Sequence, residues 1–308
     1  MSGGVADPGA SIGLEAILAA SRCFGGGTAF GWSTDPALIV PLAALVGLYA
    51  VGLNRLWGRA GAGRGIRPGS VALFVAGWLV LVVALASPLH AASRSVFTAH
   101  MIEHSLVMMV GAPLLVVGRP LPVLIWALPK GWRSALGLFG RSRGVASLWA
   151  AATSPFWATA LHGLAIWVWH VPSFFEGALT REWAHWLQHL SFLGTAILFW
   201  WAVLACLDRQ RAGSALAALF ITALHTSLLG ALLVFAGHPL YPVQLVDSAR
   251  WGLDAMEDQQ VAGLVMWVPG GLVYAVAALL VLAACIQAAA RRQERNGERD
   301  SVDAPAFV

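Results

Sequence analysis

Charge is what this sequence has least of. Asp, Glu, Lys and Arg make up 11% of its 308 residues, against about a quarter in an ordinary soluble domain. A soluble α/β enzyme is excluded on that ground alone. Cysteine is scarce too: Cys23, Cys206 and Cys285 lie far apart and form no CxxC pair. They support neither a disulfide framework nor a zinc knuckle. There is no phosphate-cradling glycine loop, no GxSxG, no dinucleotide fingerprint, no heptad array and no repeat of fixed period. Nucleic-acid binding has no support, because the arginines follow a topological pattern described below.

What the chain has instead is apolar length. Hydrophobic residues make up 58% and the mean hydropathy is +0.73. Fifteen Trp against three Tyr, with 33 Gly, suits a protein solvated by lipid, where Gly and interfacial Trp are frequent. A helix needs about 20 mostly apolar residues to cross a bilayer core about 30 Å thick. Seven stretches qualify: about Ala37 to Trp57, entered by Asp35-Pro36 as cap and first turn; Ser70 to Ala86; Phe97 to Val117; Pro155 to His170; Glu182 to about Leu207, with Thr180 as candidate cap; Ser214 to Phe235; and Asp258 to Ala290. Pro269-Gly270-Gly271 predicts a kink or break in the last. The second and fourth are short. The expected fold is all-α, a polytopic membrane bundle of seven transmembrane helices.

The 19 basic residues alternate with these spans. Arg55, Arg59, Arg64 and Arg67 fall between spans one and two. Arg119, Lys130, Arg133, Arg141 and Arg143 fall between three and four. Arg209 and Arg211 follow span five, and Arg291, Arg292, Arg295 and Arg299 follow span seven. That places fifteen on one side. Arg22, Arg94, Arg181 and Arg250, four in all, fall on the other. The positive-inside rule then puts the N-terminus outside and the C-terminus in the cytoplasm. Residues 1–35 read as a loose outer segment. Glu15 and the lack of a basic start argue against a cleavable signal peptide. Residues 36–290 form the membrane domain, and 291–308 read as a charged, disordered cytoplasmic tail.

All nine histidines fall in outer loops, outer halves of spans or near mid-membrane. His100 and His104 enter span three from outside, and His185 and His189 enter span five. Both pairs are spaced i, i+4, so each shares one helix face. Two imidazoles one turn apart can hold one metal ion. Continuing the first pair one turn gives Met108, a soft ligand suited to Cu(I). His162 lies about 12 Å below the outer end of span four, at about 1.5 Å per residue. His225 is near the middle of span six. Asp258 opens span seven and Met266 lies two turns below it. The metal candidates are therefore His100, His104, His185 and His189, with Met108, His162, His225 and Met266 secondary and Asp258 attracting or orienting the ion.

Blander readings apply elsewhere. A single interfacial His is ordinarily a hydrogen-bonding residue, and His90, His170 and His238 beside prolines or loop starts are read that way. Met101 and Met109 read as packing residues. Glu103 reads as an acceptor orienting an imidazole or as an interfacial polar residue. Asp254, Glu257, Asp258, Gln259 and Gln260 suit a solvated helix start or a carboxylate mouth for a cation. Most Trp residues sit at span ends, as an aromatic belt would place them.

Several blocks, in order, carry a resemblance. They are His100-Met-Ile-Glu-His104, Ala112-Pro113, Gly118-Arg-Pro120, Trp169-His170-Val-Pro172, His185-Trp-Leu-Gln-His189, Phe199-Trp200-Trp201, Leu240-Tyr241-Pro242, Asp258-Gln259-Gln260 with Gly263, and Met266-Trp267-Val-Pro269-Gly270. Over roughly residues 90 to 275 the chain resembles the CtaG family associated with caa-type cytochrome c oxidases. It differs from the single-anchor, cysteine-bearing copper chaperone that shares the CtaG name. The resemblance implies a non-enzymatic bacterial inner-membrane protein that helps assemble cytochrome c oxidase, with copper as its cargo. It also implies oxidase subunits as partners and periplasmic copper chaperones as donors. Three rivals stand beside it: a seven-span zinc hydrolase of lipid amides, with the metal activating water, a haem protein with axial imidazoles on facing helices, and a scaffold that holds no metal.

Overall fold

A computed structural model describes residues 31–208, 211–241, 252 and 254–302 of the chain. The described residues are helical throughout their regular parts, with no strand among them. Helix α1 spans Pro36–Ala60. The Asp35 carboxylate accepts from the Ala37 N–H, with Pro36 in the first turn, as the sequence suggests. Helix α2 spans Pro68–Ala86, and α3 is a single short turn of helix at Pro88–Ser93. Helix α4 (Phe97–Ser105) runs into a π-helical stretch, Leu106–Gly111, and on into α5 (Ala112–Val117). Three helices follow where a connecting loop was expected: α6 (Pro120–Ala127), α7 (Lys130–Arg141) and α8 (Arg143–Ala152). Then come α9 (Pro155–His170), α10 (Pro172–Thr180), α11 (Glu182–Asp208), α12 (Ala212–Phe235) and α13 (Ala255–Val302).

Among the described residues, six stretches are long and apolar enough to cross a membrane. They are Pro36–Ala60, Pro68–Ala86, Phe97–Val117, Glu182–Leu207, Ala212–Phe235 and Ala255–Arg291. The chain is a multi-pass membrane protein by this measure. The expected fourth span is the exception. Bounded by Pro155 and followed by Pro172, α9 has 16 residues, about 24 Å of rise at about 1.5 Å each. It falls short of a bilayer core, although it packs against both α11 and α12.

Two further expectations are corrected, and of the kink or break expected at Pro269 the break does not form: Pro269 lies inside α13 without ending it. Charged residues beyond Ala290 continue that helix to Val302 rather than forming an irregular tail. Thr180 does not cap α11: its hydroxyl donates to the Glu176 carbonyl at 2.8 Å and closes α10. Residues 1–30 and 303–308, with Cys23, Arg22, Arg209, Pro242 and Arg250, lie outside the described residues.

Backbone approaches made possible by glycine set the packing. A Cβ on Gly230 would sit 2.7 Å from the Gly263 carbonyl oxygen, and one on Gly263 would sit 2.7 Å from that of Gly230. So α12 and α13 meet backbone to backbone, the close contact that small residues give membrane helices. At the other end of the bundle the arginines gather. Arg55 donates to the Ala127 carbonyl at the end of α6. Arg133 lies over the Trp126 ring, 4.5 Å from its centroid. The amphipathic α7 and α8 bury no residue and expose Trp132, Leu138, Phe139 and Leu148.

Candidate functional site

The end opposite the arginines collects the start of α4, the start of α11, the end of α9, the start of α13 and the α3 turn. Serine opens α3: the Ser87 hydroxyl accepts from the Leu89 N–H, with Pro88 in the first turn. That turn swings His90 inward. Its Nδ1–H donates to Glu103 Oε1 at 2.7 Å. Glu103 is fully buried. Its Oε1 also lies 3.5 Å from His189 Nε2, and its Oε2 has no partner.

The two i, i+4 pairs face each other around this carboxylate. His100 and His104 have ring centroids 4.3 Å apart, and His185 and His189 4.5 Å. Across the pairs, His104 and His189 are 4.8 Å apart and His100 and His185 6.2 Å. His90 stands 5.6 Å from His185. Five imidazoles and one carboxylate therefore share one buried site.

Hydrogen bonds fix the ring tautomers. His100 Nδ1 lies 3.2 Å from the Ser93 carbonyl oxygen, which only accepts. So Nδ1 carries the proton, and His100 Nε2 keeps a lone pair. His104 Nε2, 2.7 Å from it, must be the donor. His104 Nδ1 is then a bare, buried lone pair with no partner, and His189 Nδ1 is likewise unpartnered. A backbone or carboxylate acceptor on one ring nitrogen, freeing the other, is the usual support of a metal-ligating histidine. His90, Glu103 and His189 each offer a ligand atom, all within 4.8 Å of one another. Nitrogen donors with one hard oxygen suit copper, zinc or iron.

The frame is polar where backbone ends need it. Asp258, at the start of α13, turns its carboxylate on the first turn of α4. Oδ2 accepts from the Phe97 N–H at 2.7 Å, and Oδ1 accepts from the Thr98 N–H and hydroxyl at 2.9 and 2.7 Å. These are orphan donors of a helix start. Asp258 thus positions the helix that carries His100 and His104. Gln259 pins residues 238–240: its Oε1 accepts from the Leu240 N–H at 2.7 Å, and its amide donates to the Leu233 and His238 carbonyls. That places Tyr241, whose hydroxyl donates to the His170 carbonyl at 2.9 Å. Burial pushes the Tyr241 phenol up, so it stays a donor. Phe97, Phe175 and Tyr241 form an aromatic roof, with Phe175 edge-on to His100 at 5.0 Å.

Of the nine residues singled out by sequence, the structure brings His100, His104, His185 and His189 together. Met108 lies in the π-helical stretch, where i→i+5 bonding widens the turn, and it is buried in the same apolar core cluster as Met266. The Met108 carbonyl accepts from the Trp200 indole N–H at 2.9 Å. His162 and His225 lie deeper and apart from the cluster, His225 against Gly163, the residue after His162. Sequence reasoning missed His90, read as a loop residue, and gave Glu103 no firm place. The signal for Glu103 was an acidic group inside an apolar span, which is costly without a purpose.

A lipid-solvated helical bundle with a buried imidazole–carboxylate cluster at one end defines the class: a polytopic membrane protein built around polar groups near one surface. The model of the cytochrome c oxidase caa3 assembly factor family, Caa3_CtaG, matches residues 47–288, and the chain belongs to that family. No curated protein and no solved structure matches it.

Proposed function

We propose that this assembly factor binds copper at the histidine cluster and helps deliver it to the oxidase. The carrying observation is the convergence of His90, His100, His104, His185 and His189 on Glu103 at one end of the bundle. The membrane orientation is part of the reading. Arginines crowd the end away from the cluster, so by the positive-inside rule the cluster faces the periplasm. Counting α9 as a short crossing gives seven passes, with the N-terminus outside and the C-terminus in the cytoplasm. The location is the bacterial inner membrane. Periplasmic copper chaperones would be the donors and oxidase subunits the acceptors. Copper is cargo here: the tautomers set by Ser93 and Glu103 offer it lone pairs, and the aromatic roof shields it from water. Met108 and Met266, packed in the core, are left out of the proposed ligand set. On this reading the protein has no catalytic residue.

The test is copper binding by purified protein. His104→Ala with His189→Ala is expected to lower the bound copper by the equivalent held at the cluster. Unchanged stoichiometry overturns the reading. One observation favours a second reading. Two His and one Glu within 4.8 Å also match the ligand set of catalytic zinc sites that keep an open position. Protein purified from its own membrane with zinc, and hydrolysing a ceramide-like amide, would favour the hydrolase.

A further inference from the structure

Below the cluster lies another pair of imidazoles. From His170 to His162 is eight residues of α9, and from His189 to Thr195 is six of α11, which is roughly 10 Å of depth. His162 is fully buried. Its Nδ1 lies 3.1 Å from the Thr195 hydroxyl oxygen. That hydroxyl donates its own proton to the Ser191 carbonyl at 2.7 Å, so toward His162 it is an acceptor. His162 therefore carries its proton on Nδ1, and Nε2 holds a lone pair. That Nε2 has no hydrogen-bond partner. His162 stacks on Phe199, with centroids 5.4 Å apart.

Facing α9 from α12 is His225. Both its ring nitrogens are shielded and unpartnered. It fits because residue 163 is glycine: a Cβ there would sit 3.2 Å from His225 Nε2. Three orphaned imidazole nitrogens in one apolar layer are costly, and buried unpartnered groups in a native fold call for an explanation.

We infer that His162 and His225 form a second, deeper site for Cu(I), held between two imidazoles and separate from the outer cluster. The metal follows from the donors. Zinc and divalent iron seek four or more ligands, and the layer offers two nitrogens. Cu(I), with a filled d shell, accepts two nitrogen donors in line. Thr195 does for His162 what Ser93 does for His100: it fixes the tautomer that presents a lone pair.

The experiment titrates full-length protein in detergent with Cu(I) against a chromogenic Cu(I) chelator, without oxygen. His162→Gln is expected to lose one equivalent relative to wild type. Adding it to the His104→Ala, His189→Ala protein should remove the equivalent that remains there. X-ray absorption on that last protein before the added change should show two nitrogen neighbours. Thr195→Val keeps shape and removes the acceptor, so the deep equivalent should weaken roughly 10–100-fold while the protein stays folded. If wild type and the double variant both bind one equivalent that depends on His162, this inference stands and the outer copper site fails. Unchanged stoichiometry in His162→Gln overturns it. So does unchanged affinity in Thr195→Val, which decides the matter if His162→Gln does not fold.

Discussion

The outer cluster and the deep pair use the same side chain in opposite ways. At the outer end each of the five imidazoles meets another imidazole or Glu103, and His100 is bonded to both a neighbour and the frame. In the deep layer His162 has one bond, to Thr195, and His225 has none among the described residues. The first is a network whose members hold one another. The second is a pair of rings held by packing, with Gly163 making the space. A polar network loses much when one member goes, because its neighbours are left buried and unpaired. A ring surrounded by aromatic and aliphatic groups loses little when replaced by one of its own shape.

That contrast gives the largest expected effect. Glu103→Ala strips the one carboxylate from five imidazoles and leaves the His90 Nδ1–H without an acceptor. Breaking a buried pair this way costs about 3–5 kcal/mol. His162→Phe loses one hydrogen bond, about 1 kcal/mol, and keeps the stack on Phe199. Thermal unfolding in detergent reads both. Equal losses would mean that the deep pair is as networked as the outer one, and the comparison would fall.

Next in size is Asp258→Ala. It removes three bonds to the start of α4 and leaves the N–H groups of buried Phe97 and half-buried Thr98 unpaired. A lost cap costs about 1 kcal/mol and each stranded buried group about 1–3, so about 3 kcal/mol is expected. The variant should lower copper affinity at the outer cluster, because α4 carries His100 and His104, and leave the deep equivalent alone. Asp258→Asn keeps one acceptor and should recover part of the loss. An Asp258→Ala protein with full stability and unchanged affinity would remove its positioning role.

Much of this was legible in sequence. Six of the seven expected spans fall within three residues of the helices that form, and the seventh begins within three, because apolar length and proline or capping residues set their ends locally. The two HxxxH pairs were legible for the same reason: four residues on an α-helix return to one face wherever the helix goes. What was not legible depends on distant contacts. His90 reaches the cluster because α3 folds back after Pro88, and nothing in its own neighbourhood names Glu103 as its partner. Asp258 caps a helix 160 residues away in sequence, where its local signature is only that of an acidic helix start. Tyr241 and Gln259 likewise act across the bundle. The winding at Met108 was not legible either, because regular α-periodicity was assumed through a stretch that winds as a π-helix.

That stretch supplies the smallest effect. In a π-helical turn the wider bonding pattern leaves carbonyls less well satisfied, and Trp200 donates its indole N–H to the Met108 carbonyl. Trp200→Phe keeps most of the ring in the core and removes the donor, for about 1 kcal/mol. The consequence for the site is more telling than the stability. Without that bond the segment can relax toward α-helical winding, which would carry Met108 onto the face of His100 and His104 and add a thioether to a set of nitrogens. Copper affinity at the outer cluster should then rise or its spectrum gain a sulfur neighbour, while Met108→Leu in the otherwise unchanged protein should alter neither. If Met108→Leu by itself lowers copper binding, the thioether already belongs to the site, and the π turn is not what separates it from the histidines.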